Sequence, residues 1–461
     1  MKQKTNLLYR TTPFAAVAAC AFGTAAADQP QAASASARFQ KPNWLTDLSA
    51  GVKEGYDDNV LAVFGLQMAK QGSAITTISP KVGFNFAPLI GDSKTLSTLS
   101  LVYSPDYVFY HNTPSESYDA HRIGNVIKGK SGEFSYSLQN DFLYNDGNDT
   151  AATYAASPTQ TSDSSRSAYA TAYARERRKQ IQNRSTIVLQ YDLDQFFVRP
   201  VASFLYYDFL TDLQNAKAPG PHAGYQNYAD RYDVNGGLDA GYKVTKDLAF
   251  VVGYRYGHQY QDAYPYSVDN DTHQSSADYQ RVLFGFEGKP LKWLRVKTAV
   301  GPEFRDYNHN APVPRSHANN YYGEASLTAT IDKTQSIAFT YKHWQWVSST
   351  GKIPYADNTF ALAYHINPTK ELGFDLGVKY LFSDYNCGSQ SLTKNSSLRN
   401  DAVYVVAAGV SYAINSHFSA NLAYTYNMGR NQQDQSPTAP FNGSYREFDQ
   451  QLVAAGLQYK F

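Results

Sequence analysis

Cysteine is nearly absent, with Cys20 and Cys387 the two in 461 residues, so a disulfide-stapled scaffold is excluded. Methionine and tryptophan are scarce too, at 3 and 4, whereas tyrosine reaches 38. Beyond the N-terminus no uninterrupted apolar run is long enough for a spanning helix, and mean hydropathy is -0.48. Membrane-spanning helices are thereby excluded. Charge of one sign is missing as well: 41 basic against 40 acidic residues leave a formal net charge of +1. No global field argues for nucleic acid or for an acidic partner. Phosphate loops, zinc-ligand spacings and Gly-x-Ser-x-Gly elbows do not occur, and neither a catalytic residue, a metal nor a cofactor is expected.

What is present is tyrosine in alternating segments. A tyrosine carries an apolar ring and a polar tip, which suits strand faces and the two membrane–water interfaces. The C-terminal stretch shows the pattern well. Val453, Ala455, Leu457, Tyr459 and Phe461 alternate with Leu452, Ala454, Gly456, Gln458 and Lys460. A period of two means a strand with one greasy and one wetter face. Lipid can cover such a face in an outer-membrane barrel, where the first strand pairs with the free edge. The alternative is the last strand of a soluble sandwich. As a barrel-closing signature this strand would be the part read by a barrel assembly machinery.

The N-terminus carries Lys2, Lys4 and Arg10, then a small apolar core over 12–24, then Ala25-Ala26-Ala27 before Asp28. That is the pattern of a cleaved secretory signal over 1–27. Val17-Ala18-Ala19-Cys20 offers a second reading, a lipoprotein box with lipid on Cys20. Residues 28–45, rich in Ala, Ser, Gln and Pro, form a loose periplasmic lead-in, and 46–461 form the barrel.

Along the barrel the theme repeats. Leu48, Ala50, Val52 and Tyr56 alternate with Ser49, Gly51, Lys53 and Gly55. Similar segments follow around Tyr232–Tyr242, Phe250–Tyr256 and Leu372–Tyr380. Short links with turn chemistry fall at 245–247, 289–290, 332–334, 367–369 and 415–416. Long polar stretches fall between them, at 147–165, 210–228, 261–275, 307–319, 347–354, 383–399 and 428–444. Short–long alternation predicts an all-β transmembrane antiparallel barrel of about 18 strands of 11–16 residues, with short periplasmic turns and long extracellular loops. The stretch 167–195 is the weak point. Taken as one long strand with a charged middle it keeps the number at 18; otherwise 16 results.

The face assignment points Arg231, Asp239, Arg255, Arg281, Glu287, Arg295, Lys297, Glu303, Arg305 and Lys379 inward. A charge at mid-bilayer costs about 2–4 kcal/mol, so these belong in a wet lumen. They either set a transverse field that sorts solutes or brace the wall as ion pairs. Arg175, Arg177, Arg178, Lys179 and Arg184 are the densest basic run, either a constriction for anionic solutes or solvated wall. Tyr103, Tyr107, Phe109, Tyr206, Tyr207, Tyr321, Tyr322, Trp344 and Trp346 fit an interface girdle, the alternative being a sugar-stacking track. The acidic clusters 57–59, 146–149 and 269–271 lack full calcium-loop spacing and read as turns. His343 and His365 lie on strands without a Ser or Asp linked by spacing.

Gly55-Tyr56-Asp57-Asp58-Asn59, at the end of the first strand, resembles the start of the putative β-barrel porin 2 family. That resemblance implies a single-chain barrel in the bacterial outer membrane. It also implies, for some relatives, export of surface polysaccharide beside a periplasmic export partner; it supplies no catalytic residues. The expected function is passive diffusion of small or saccharide solutes. Alternatives are exopolysaccharide export and a structural or adhesive surface barrel with a plugged lumen.

Overall fold

The computed structural model describes residues 41–62, 69–91, 95–147, 176–210, 230–261, 264–265, 272–273, 276–308, 317–347, 354–384, 399–433 and 447–461. The wall begins with β1 (Leu45–Asp57), β2 (Ser73–Asn85), β3 (Leu96–Tyr110), β4 (Tyr118–Ser131) and β5 (Phe134–Asp146). It continues as β6 (Gln180–Leu193), β7 (Phe196–Phe209), β8 (Arg231–Thr245) and β9 (Leu248–Gln261). A separate two-stranded ribbon, β10 (Tyr264–Pro265) and β11 (Thr272–His273), intervenes. Then come β12 (Ala277–Leu291), β13 (Leu294–Tyr307), β14 (His317–Thr330), β15 (Gln335–Trp346) and β16 (Tyr355–Ile366). The wall ends with β17 (Leu372–Asp384), β18 (Arg399–Ala413), β19 (Phe418–Gln433) and β20 (Phe448–Lys460). One four-residue helix, α1 (Ala87–Ile90), sits in the β2–β3 link. Among the described residues no helix is long and apolar enough to cross a membrane.

The ribbon aside, the strands form one 18-stranded antiparallel sheet that closes on itself. The first and last strands pair from Ser49↔Lys460 to Asp57↔Leu452, as the alternation of the two ends predicts. Closure removes the free edges that an open sheet would expose. The Gly55–Asn59 stretch latches this seam. A Cβ on Gly55 would stand 2.8 Å from the Val453 carbonyl, so the strands approach closely there. Asp57 accepts from Gln450 Nε2 at 2.9 and 3.1 Å, Asn59 Nδ2 donates to the Asp449 carbonyl, and Asp58 accepts the Gln451 N–H. The polar cluster is thus a seam fastening built as a turn.

Inside and outside follow from reach. Arg199 on β7 contacts Glu287 on β12 at 2.7 Å although β8 and β9 lie between them. Three strand spacings are about 14 Å of wall, which side chains bridge only across the concave side. The opposite parity carries Val52, Leu238, Tyr254, Phe284, Val300, Leu376, Leu422 and Leu457, each more than a third exposed. An apolar belt around a closed antiparallel barrel is a lipid-facing surface.

Links on one rim are short. Gly132 (φ 59°) and Asp194 (φ 50°) supply the left-handed residue for two-residue turns that sequence reading passed over. One expected turn moves. β12 runs past Lys289-Pro290 to Leu291, because Gly288 (φ 132°) opens a bulge that absorbs the proline. The expected long strand over 167–195 also fails. β6 starts only at Gln180, the first residue in register with both Asn145 and Phe209, and Arg177, Arg178 and Lys179 precede it. Residues 167–175, Arg175 included, lie outside the described residues. β1 starts at Leu45, one residue earlier than the expected barrel boundary.

Candidate functional site in the barrel lumen

Alternation places Arg281, Glu303 and Arg305 on the inner face of β12 and β13. The fully buried Glu303 accepts from Arg281 Nε and from Arg305 Nε, each at 2.5 Å. Arg305 also donates to Gln259 Oε1 at 2.7 Å and to the Gln345 carbonyl at 3.0 Å. The Arg281 guanidinium lies between the rings of Tyr279 and Tyr322, 4.1 and 4.3 Å from their centroids. Asp233 accepts from Tyr279 Oη and Gln259 Nε2 at 2.9 and 2.7 Å. Nearer the short-turn rim, Asp239 takes Arg199 at 3.0 Å and Arg255 at 2.7 Å, and Arg199 reaches Glu287 through both Nη atoms. Each of these guanidiniums therefore faces a carboxylate. A buried charge needs such a partner, and the pairing cancels most of its field in the lumen.

The remaining inward candidates scatter. Arg231 is buried between Tyr207 and Trp346, 4.9 and 5.2 Å from their rings, and donates to the Val347 carbonyl at 3.1 Å. Tyr207, Phe209, Trp346 and Val347 form one buried apolar cluster. In the sheet β7 and β15 are six spacings apart, about 29 Å of wall, so this cluster crosses the lumen. Lys297 and Lys342 lie within electrostatic range of Glu324, and Lys379 within range of Asp357. Arg184 on β6 is within range of Lys342 on β15, again from across the lumen. Arg295 is exposed near the start of β13.

The basic run does not act together. Arg177 and Arg178 both clamp the buried Glu116, at 2.8 Å each, and Arg177 Nη2 donates to the Val60 carbonyl. Lys179 stands partly exposed 3.6 Å from Asp146. Val60 and Leu61 pack with Ile75, Val108 and Tyr110 inside the same end of the barrel. The β1–β2, β3–β4 and β5–β6 links thus meet in one knot at the long-loop end.

The aromatic set divides. Phe109 and Tyr321 face outward at 43% exposure each, whereas Tyr207 and Trp346 are buried inside. Tyr322 packs over Arg281, and Trp344 receives the Lys342 ammonium 4.8 Å from its ring. The adjacent pairs 206/207 and 321/322 cannot share a face, because successive residues point oppositely. Each adjacent pair can therefore give the girdle only one member.

Sequence reading missed Arg199, Glu116, Gln259 and Gln345. Alternation with Phe196 and Val198 could have found Arg199; Glu116 sits in a 3-10 turn, Pro114–Glu116, without any pattern around it. His365 gains a partner that spacing hid: its Nδ1 meets Asp375 at 2.6 Å. Its Nε2 is taken by the Asn367 amide at 2.7 Å, so both ring nitrogens are occupied. Opposite the charged sector the register row Ala363, Gly377, Ala407 and Thr425 runs across β16–β19 without a charge.

Fold and lumen define a transmembrane antiparallel β-barrel whose described interior carries ion-paired arginines on the β7–β13 wall. No family model matches the sequence, so the resemblance of Gly55–Asn59 rests on those residues alone. No curated protein matches it. Solved barrels of similar architecture include OccK2 (OpdF) of Pseudomonas aeruginosa in complex with glucuronate, at 9% identity over 90% of this chain and 98% of that one, TM-score 0.41. OccK11 (OpdR) of the same organism covers 92% and 99% at 12% identity, TM-score 0.41. The siderophore receptor PirA from Acinetobacter baumannii covers 90% and 81% at 8% identity, TM-score 0.40. At these values the likeness is one of architecture and assigns no solute.

Proposed function

We propose that the chain is a bacterial outer-membrane channel that lets small or saccharide solutes pass passively. Its export signal is 1–27, its periplasmic lead-in 28–45 and its barrel 46–461; the short-turn rim faces the periplasm. One observation carries the solute class. Arg199, Arg255, Arg281 and Arg305 are spent on carboxylates, and the facing row at Ala363, Gly377, Ala407 and Thr425 is small and uncharged. A path with hydrogen-bonding groups and little net field suits neutral polyhydroxylated solutes. No chemistry on the solute is involved. Membership of the porin 2 family is part of this reading. Single-channel recording in planar bilayers, followed by vesicle swelling in neutral sugars, tests it. Conductance steps with sugar-driven swelling are expected; the absence of any step would sink the channel.

A second reading is favoured by the knot of Val60, Glu116, Arg177 and Arg178, which ties three long-loop links inside the barrel end. In that reading the lumen is closed and the barrel is structural or adhesive. Silent bilayers that gain conductance when Glu116 is replaced would favour it.

A further inference from the structure

Wall ladders reach the long-loop rim at Asp57↔Leu452, Ala277↔Tyr307, Asp384↔Asn400 and Gly429↔Phe448. Where ladders break near Pro80, Pro200 and Pro302, which lack a donor, pairing resumes beyond. The β14–β15 ladder instead stops at Gly323↔His343. Its register would next oppose Tyr322 to Trp344, Tyr321 to Gln345 and Asn320 to Trp346. None of these described pairs forms, although β14 still pairs with β13, and β15 with β16, through the same positions.

Two backbone groups there, the Tyr321 N–H and the Gln345 carbonyl, meet side chains. The Tyr321 N–H donates to Asn320 Oδ1 at 2.8 Å. The Gln345 carbonyl accepts from Arg305 Nη2 at 3.0 Å and Gln259 Nε2 at 3.3 Å, both inside the lumen. The Val347 carbonyl accepts from Arg231. Arg305 and Arg231 thus hold the end of β15 where it stays paired with β16 but parts from β14. Among the described residues, side chains bridge the split. Tyr321 stacks on His343 with centroids 3.8 Å apart, and Asn320 Nδ2 donates to Gln345 Oε1 at 3.2 Å. His343 Nδ1 meets Asn358 Oδ1 at 2.9 Å.

We propose that this split is a lateral portal between the lumen and the lipid leaflet at the long-loop end. It would admit an amphipathic molecule with one apolar chain and an uncharged, hydroxyl-bearing head group. The chemistry of the two sides selects that class. Outside, Phe304, Tyr321 and Phe360 face lipid. Inside, Asn320 and Gln345 offer amides; Asn358, on the face of Phe360, backs His343, and none of the side chains named at the split is charged. A sugar-like head can stack on Tyr321 and hydrogen-bond the amides while its chain stays in lipid. A fully polar molecule gains nothing from the portal, and a fully apolar one has no reason to leave the leaflet. The proposal rests on the membrane-spanning barrel and not on any particular solute.

Hydrogen exchange on the full barrel in phosphatidylcholine nanodiscs tests the split itself. Amides of Tyr321 and Gln345 should exchange at least about tenfold faster than those of Val300 and Leu376. The variant His343→Ala, which removes the stack, should widen the difference. Equal protection in both proteins overturns the portal whether or not the barrel conducts. The ligand class is tested with n-dodecyl maltoside below its solubilising concentration against maltose. In a Cys387→Ser background, the alkyl maltoside should block current at concentrations where maltose does not. A disulfide across Tyr321→Cys and Gln345→Cys should abolish that block, and reducing the same barrel with dithiothreitol should restore it. Undiminished block in the locked barrel overturns the assignment, and a pair across Ala325→Cys and Tyr341→Cys, register partners in the intact ladder, is the control.

Discussion

Arg281 and Glu303 are register partners across the β12–β13 ladder, and their side chains meet at 2.5 Å with the carboxylate fully buried. Backbone pairing and ion pairing coincide, so the wall itself sets the electrostatics of the lumen.

Glu303→Gln should leave Arg281 and Arg305 facing a neutral amide. Removing one member of a buried ionic group costs about 3–5 kcal/mol. The folded band on heat-modifiable electrophoresis should convert at a clearly lower temperature, and any remaining current should shift toward anions. An unchanged conversion temperature would show that the triad contributes nothing to the wall.

Glu116→Ala should release Arg177 and Arg178 from their shared carboxylate. The expected result is larger single-channel conductance and stronger anion preference with the barrel intact. The knot lies off the permeation path if conductance and selectivity both stay at the parent values.

Val52 and Leu457 oppose each other in the closing ladder. In a Cys387→Ser background, Val52→Cys with Leu457→Cys should form a disulfide, since directly opposed strand positions meet the Cα requirement. Ala50→Cys with Leu457→Cys, two residues out of register, should not. Cross-linking of the shifted pair alone would overturn the register.

Asp332, in the β14–β15 turn, is held below the usual carboxylate range, first by the Thr334 hydroxyl and then by its N–H. A depressed folded pKa means its turn contribution is present above the unfolded value and fades as pH falls through the folded one. Carboxyl titration by NMR should place Asp332 below a free aspartate, and Thr334→Val should move it back upward. A midpoint at or above that of free aspartate contradicts this.

Much of the wall was readable from residues such as Tyr254, Val252 and Arg255, because a two-residue period is a local property that survives without neighbours. Inward placement of Arg281, Glu303 and Arg305 followed from the same alternation. Their grouping did not, since Glu303 must reach Arg281 through a ladder and Arg305 must reach Gln345 from two strands away. The adjacent tyrosines 321 and 322 show how the period can be overlooked when residue type alone is read.

By itself, then, the sequence determined a chain of alternating strands joined by short and long links, closing first strand on last. Lipid-facing and lumen-facing identities are encoded residue by residue, through the cost of placing charge in hydrocarbon. Only the tertiary structure decided that the basic run at 177–179 is divided between Glu116 and Asp146, and that Arg231 crosses the lumen to Trp346. It also decided that the wall parts between β14 and β15. The reason is physical: a side chain on a strand is directed by local geometry, but its partner is chosen by curvature that brings distant strands within a few ångströms.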